Sequence, residues 1–500
     1  MMARHPSLYQ INTRVWLHEL GVSRGRPTTL GDVDDAVLDL IAADGFDWVW
    51  LLGVWQTGQA GRRVSRSRAE WQHEYREVLP DFAADDVCGS PFAVSEYVVN
   101  REFGGPRALE RFRKRLAERG LQLMLDFVPN HTALDHAWVR ERPAFYVHGS
   151  EEDLAREPAN YWRVGTRSGA RVLAHGRDPY FPGWPDTAQL NYRHPGLRAA
   201  MLEVLETIAE QCDGLRCDMA MLVLPDVFTR TWGDHANPID GRPPSDESFW
   251  PAAIASVRER RPDFRFMAEA YWDLEWTLQQ QGFDYTYDKR LYDRLRAQDA
   301  GAVRGHLLAD ADYQRRSARF LENHDEPRAA ATFPPPVHAA AAVLTLLAPG
   351  LRFVHEGQPS GRRVRASNHL RRRVTEPVDR DLESFYTRLF ACMRRVEARE
   401  GDWRLLERQA AWDGNPTWDR VIVFSWETSE QRLLVAVNYG ATQSQCYVRL
   451  PWSDIDGRAV VFRDLMSPRV RYKRHGADLW RRGLYLDLPP WGYHVFEVTT

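Results

Sequence analysis

Cysteine is scarce in this sequence and long apolar runs are missing from it. Five cysteines stand among 500 residues (Cys88, Cys212, Cys217, Cys392 and Cys446). Their number is odd and their spacing matches no metal-ligand pattern, which argues against a disulfide framework and fits a reducing compartment. No apolar stretch approaches the ~20 residues needed to cross a bilayer, so no membrane partner is expected. The opening MMARHPSLYQINTRVWLHEL has no apolar core followed by small residues, as a secretory signal would. A cytoplasmic location is therefore expected. An excess of one charge is missing as well: 66 Lys and Arg against 69 Asp and Glu leave a net −3, which argues against a nucleic-acid or polyanion partner. Low-complexity segments and internal repeats are absent too. Nothing in the chain sets an oligomeric state.

What is present is a long alternation of β-type and helical runs. LYQINTRVWL (8–17), DWVWLLG (47–53), LQLMLDFV (121–128), GLRCD (214–218), FRFMAEA (264–270), FDYTYD (283–288), RFLEN (319–323) and LRFVH (351–355) read as strands. Between them lie helices with Pro at the start and Gly at the stop, as in 106–120, 195–214 and 336–350. Eight such units predict an α/β fold built on a (β/α)8 TIM barrel. A doubly wound sheet is the competing arrangement, but no Gly-rich phosphate loop follows the first strand. Residues 132–194, rich in Tyr, Trp, Gly and Pro, are too long for a loop and predict a small domain inserted after strand 3. From about 401 the chain becomes strand and turn, predicting a C-terminal antiparallel β-sandwich. The expected division is 1–131 and 195–400 for the barrel, 132–194 for the insertion and 401–500 for the sandwich.

Inside GLRCDMA (214–220) an arginine and an aspartate stand two apart in an otherwise apolar strand. Strand alternation puts Arg216 and Asp218 on the barrel interior and Leu215 and Cys217 toward the helices. Asp126, Glu269 and Asp325 stand at three further strand ends, so four acids and one arginine converge on the C-terminal rim, where barrel enzymes hold their chemistry. Glycosidic cleavage needs two carboxylates flanking the bond, one ionised and one protonated. Arg216 beside Asp218 is expected to lower that carboxyl's pKa and keep it anionic. Glu269, in apolar FMAEAYW with no cation near it in sequence, is expected to be raised by desolvation and to hold a proton. Adjacent strands lie about 4.8 Å apart, which suits the ~5–5.5 Å carboxyl separation of retaining enzymes.

DFVPNH, GLRCD, MAEA and ENHD, in this order on the third, fourth, fifth and seventh strands, together resemble the four signatures of the α-amylase superfamily, glycoside hydrolase family 13. TAQLNYRHP (187–195) resembles the short motif that precedes the second signature. The resemblance covers essentially the whole chain. It implies Asp218 as nucleophile, Glu269 as general acid and base, and Asp325 as the carboxylate holding the distorted sugar. It further implies Arg216 orienting the nucleophile, and Asp126, His131 and His324 bonding sugar hydroxyls. Phe92 stands where the family usually has a stacking tyrosine. The implied partner is an oligosaccharide or small α-glucoside, cleaved by double displacement with no cofactor required. Transglycosylase and isomerase members share the same signatures, and inactive carbohydrate-binding homologues lack one or more of the three carboxylates, all of which stand here.

Four features depart from the pattern or extend it. Met221 and Leu222 occupy the positions where α-amylases usually carry a Lys-His pair gripping the sugar beyond the cleavage point. Asn130 matches a position that binds structural calcium in many members, although the remaining ligands of a six- to eight-oxygen set are not identifiable. Residues 361–380 carry seven arginines just after the eighth strand; local carboxylates are expected to hold them, with recognition of an anionic sugar by Arg371, Arg372 and Arg373 as the alternative. Trp412, Trp418 and Trp452 are the sandwich's candidate sugar platforms, with shielding of the barrel as the favoured role for that domain.

Overall fold

Residues 3–167 and 169–500 are described in the computed structural model of the chain. Eight parallel strands close into a barrel: β1 (Ser7–Asn12), β2 (Trp48–Leu52), β3 (Gln122–Phe127), β4 (Gly214–Cys217), β5 (Arg265–Ala268), β6 (Tyr285–Tyr287), β7 (Ser317–Arg319) and β8 (Leu351–His355). They neighbour one another in chain order, and β1 pairs with β8 from Ser7↔Arg352 to Gln10↔His355, which completes the circle and excludes the doubly wound alternative.

Two strand expectations need correction. The run 8–17 is strand only to Asn12, and Thr13–Arg24 is helix α1. Its β-branched and aromatic residues read as strand, but the Asn12 side chain accepts from Val15 N at 3.3 Å and caps a helix, which ends at Gly25 in the left-handed region. The seventh strand is Ser317–Arg319 rather than 319–323. Arg319 is anchored inside the barrel by Asp288 at 3.1 Å, and the segment beyond it bends to deliver His324 and Asp325 to the rim.

Between β3 and the helix Pro195–Ala209, the chain leaves and returns on a short ribbon pairing His131–Ala133 with Thr187–Gln189. The insertion carries its own hairpin, Tyr161–Thr166 with Gly169–Ala174.

At the C-terminus a six-stranded antiparallel sheet faces a three-stranded one. Period-2 alternation sends successive residues of VIVFSW and LLVAVN to opposite faces of the larger sheet. Ile422, Phe424, Trp426, Leu433, Val435 and Val437 join the barrel's core, whereas Val421, Val423, Leu434 and Ala436 join the sandwich interior. The larger sheet is thus covered on both faces. Trp426 Nε1 donates to Leu347 O at 2.7 Å, fixing the sheet to a barrel helix.

Candidate active site

Arg216 is the centre of the rim. It is wholly buried, and the register of β4 places it beside Asp126 on β3 and Met267 on β5. Its guanidinium lies 5.4, 5.3 and 5.8 Å from the ring centroids of Trp50, Phe92 and Tyr287. Nη1 donates to Asp218 Oδ1 at 2.5 Å and stands 3.8 Å from Asp126 Oδ1, and Nη2 meets Glu269 Oε2 at 2.7 Å. The two carboxylates expected to share the chemistry therefore sit on the two terminal nitrogens of one cation. Sequence distance had left Glu269 without such a neighbour; the barrel supplies it from the adjacent strand.

The electrostatics follow from three buried carboxyls facing one guanidinium. Burial pushes Glu269 up to about 7; Arg216 pulls it down, while Asp218 and Asp325 add to the rise. Asp218 differs from expectation: burial raises its carboxyl above the ordinary aspartate value, and the ion pair and hydrogen bond with Arg216 offset only part of that rise. Sequence adjacency captured the Coulomb attraction but not the desolvation. Glu269, pushed up to about 7, exchanges its proton near neutrality.

Glu269 is held by one backbone donor and one side-chain donor. Met219, next after Asp218, is left-handed at φ 42°, and from there its N–H donates to Glu269 Oε2 at 2.7 Å. Such a conformation is unfavourable for a side-chain-bearing residue and marks functional turns. Tyr271 OH donates to Glu269 Oε1 at 2.9 Å.

Asp325 stands apart at the mouth, with a side chain 41% exposed. Burial of its carboxyl works against ionisation, but His324, Arg216 and Arg365 take it down to about 2. His324 Nε2 lies 3.0 Å from Asp325 Oδ2, and Nδ1 lies 2.8 Å from Gln10 Nε2. Asp126 is buried, its oxygens taken by Trp50 Nε1 at 3.1 Å and Gly53 N at 2.6 Å. His131 is buried against Trp184 and held neutral, its pKa lowered to about 3 by burial. Phe92 lies 5.5 Å from the His324 ring and, with Asp325, lines a cavity of about 240 Å³.

The far wall of this cavity was not legible beforehand. The helix Ala69–Val78 brings Trp71, Glu74 and Tyr75 to it, and the Arg-rich loop brings Arg365, Asn368 and His369. Arg365 donates to Asp325 O at 2.9 Å and pairs with Glu74 at 3.1 Å. Carboxylates hold most of that loop, as expected: Arg372 meets Asp81 and Asp86, and Arg373 meets Glu19 and Glu356.

Met221, Leu222, Asn130 and the sandwich tryptophans are placed as follows. Met221 and Leu222 are buried in the turn after β4 and belong to the core. Asn130 exchanges both amide ends with Gln189, Nδ2 to Oε1 at 3.2 Å and Nε2 to Oδ1 at 2.9 Å. Among the described residues no group of three or more His, Cys, Asp or Glu side chains is placed to hold a metal. Trp452 is buried, which removes it as a platform, while Trp412 is exposed and Trp418 is covered by Arg408.

A family model described as alpha amylase, catalytic domain, matches residues 38–385. The chain is 26% identical over 413 residues to the alpha-amylase MalA of Haloarcula japonica, a match covering 81% of this chain and 51% of that protein. It is 28% identical over 174 residues to the trehalose-6-phosphate hydrolase of Escherichia coli, covering 31% of each. The chain thus spans about half the length of the first relative and less than a third of the second. Among solved structures, a noncanonic maltogenic alpha-amylase AmyB from Thermotoga neapolitana superposes with a TM-score of 0.70 at 18% identity over 99% of both chains. An alpha-amylase from Geobacillus thermoleovorans complexed with acarbose superposes at 0.67 and 16% identity, over 100% of this chain and 99% of that one. At these identities the structural likeness is one of fold.

Proposed function

The chain belongs to the alpha-amylase family, and on that premise we propose that it is a retaining glycosidase that cleaves α-glucosidic bonds in small glucosides and at chain ends. The observation that carries the reading is the single guanidinium of Arg216 holding Asp218 and Glu269 on its two terminal nitrogens. Asp218 attacks the anomeric carbon while Glu269 protonates the departing oxygen, giving a covalent glycosyl ester and a free alcohol. Esterification removes the charge of Asp218 as proton loss creates one on Glu269, so Arg216 faces the same total charge before and after. No new buried charge has to be solvated, which favours the step. The Glu269 carboxylate then takes a proton from water, whose oxygen attacks the anomeric carbon and displaces the Asp218 carboxylate. Asp325, ionised at the mouth, faces the positive character that develops on the ring.

The small cavity, walled by Trp71, Tyr75, Arg365 and His369, favours a terminal sugar over the interior of a polymer. The named relatives include both an alpha-amylase and a trehalose-6-phosphate hydrolase, in keeping with an α-glucoside substrate. The test is early-time NMR of the products from maltose, trehalose, sucrose and maltooligosaccharides, with and without added sugar acceptors. The initial product is expected in the α configuration; an initial β product overturns the mechanism. Cleavage of starch from within at a higher rate than of any short substrate overturns the chain-end preference.

A further inference from the structure

Among the described residues, two arginines of the 361–380 run, Arg363 and Arg371, form no ion pair with an acid; Arg363 donates to Ala330 O, while Arg371 lines a cavity away from the cleft. Arg371 leaves its buried Nε without an acceptor, while its neighbours Arg372 and Arg373 are clamped by Asp81, Asp86, Glu19 and Glu356. It lines a separate cavity of about 590 Å³ beside α1, together with Arg14, His18, Val22 and Phe103. Arg14 is 8% exposed, and Nη1 donates to Gly89 O at 2.9 Å and Asn368 O at 3.1 Å. Among the described residues no carboxylate stands within ion-pair distance of Arg14 or Arg371. The buried Arg14 guanidinium, with carbonyls as its hydrogen-bond acceptors, has no charge partner in contact with it, which is costly unless an anion arrives. The half-buried Arg371 meets the Cys88 side chain and feels Glu102 and Asp86 at longer range. The acid of the lining, Glu102, is an exposed rim residue. Leu17, Val22 and Phe103 supply an apolar wall.

We propose that this cavity binds a small organic phosphate, its dianionic head between Arg14 and Arg371 and its body against Leu17, Val22 and Phe103. Two guanidinium groups match a dianion better than a single carboxylate, and forked donors suit phosphate oxygens. The site is outside the cleft but shares a wall with it: Cys88 N donates to His369 O, Arg371 N to Asp86 O, and Asn368 reaches the cleft face.

Calorimetric titration with glucose 6-phosphate and AMP, with inorganic phosphate and citrate as comparison probes, tests the assignment. Saturable binding of at least one organic phosphate is expected, tighter than that of inorganic phosphate or citrate. Arg371→Gln should weaken it by about ten-fold or more, the scale of one charge-assisted contact. Val22→Asp, at a rim position 69% exposed where folding is not at stake, should weaken it as much by placing a carboxylate beside the head. Arg365→Gln, on the cleft, should leave the affinity unchanged. Absence of binding by both phosphates overturns the proposal, as does tighter binding of citrate or equal affinity in Val22→Asp. Loss of affinity in Arg365→Gln instead places the anion in the cleft and also overturns it, without touching the glycosidase reading.

Discussion

Arg216 carries more of the site than its sequence neighbours indicate. It is the counter-charge for Asp218 and Glu269 and lies near Asp126. Arg216→Met should cost about 3–5 kcal/mol of stability at pH 7, because three carboxyls are left buried and unpaired. The loss should shrink at pH 5 as those carboxyls take up protons, which a urea series at both pH values measures; a loss independent of pH indicates packing alone. Glu269→Gln keeps the shape and removes the transferable proton. Turnover should fall by about 10²–10⁴-fold with an unchanged melting temperature. In the proposed mechanism Glu269 acts as the protonated acid, and it is pushed up to about 7, so the wild-type rate should decline as pH rises through about 7. That alkaline limb should be read in kcat/KM.

At the scale of elements, turns rather than strands decide where the functional groups end. Gly53, at the end of β2, has φ +72°, and a Cβ there would lie 2.5 Å from the Pro91 side chain. Its N–H donates to Asp126 Oδ2 at 2.6 Å. Gly53→Ala should therefore destabilise the protein by about 1–3 kcal/mol and lower kcat by displacing Asp126 and the 90–92 turn that carries Phe92. A melting curve and steady-state kinetics on the same preparation check both effects. The alternation of apolar and charged residues on β3, β4 and β5 was readable as sequence because period 2 is local. The end of β1 at Asn12 was not, since a side-chain cap competes with β propensity and only the packed helix settles that contest.

At the scale of the molecule, many histidines are buried without charge. Burial lowers His5 to about 2, His131 to about 3, and His136, His175, His338 and His369 to about 4. The unfolded chain protonates each near pH 6.5, so their contribution to stability is whole above that pH and is lost as pH falls toward the folded values. Glu269 and Glu275, raised to about 7, and Asp186, raised to about 6, act with the opposite sign, stabilising most at low pH and less as pH rises through those values. The imidazoles outnumber these carboxyls, so the urea midpoint should be lower at pH 5.5 than at pH 7.5. A higher midpoint at pH 5.5 would place the carboxyls in control.

Repeating strand–helix units, the four signature segments and the inward parity of Arg216, Asp218 and Asp126 were determined by the sequence alone, because each depends on periodicity or spacing along a single stretch. The closure of β1 on β8, the meeting of Glu269 with Arg216, the upward shift of Asp218 and the wall made by Trp71, Tyr75 and Arg365 were decided by the tertiary structure. Burial and cross-strand neighbours depend on residues dozens to hundreds of positions apart. Desolvation acts on a charge only once the fold has removed the water around it.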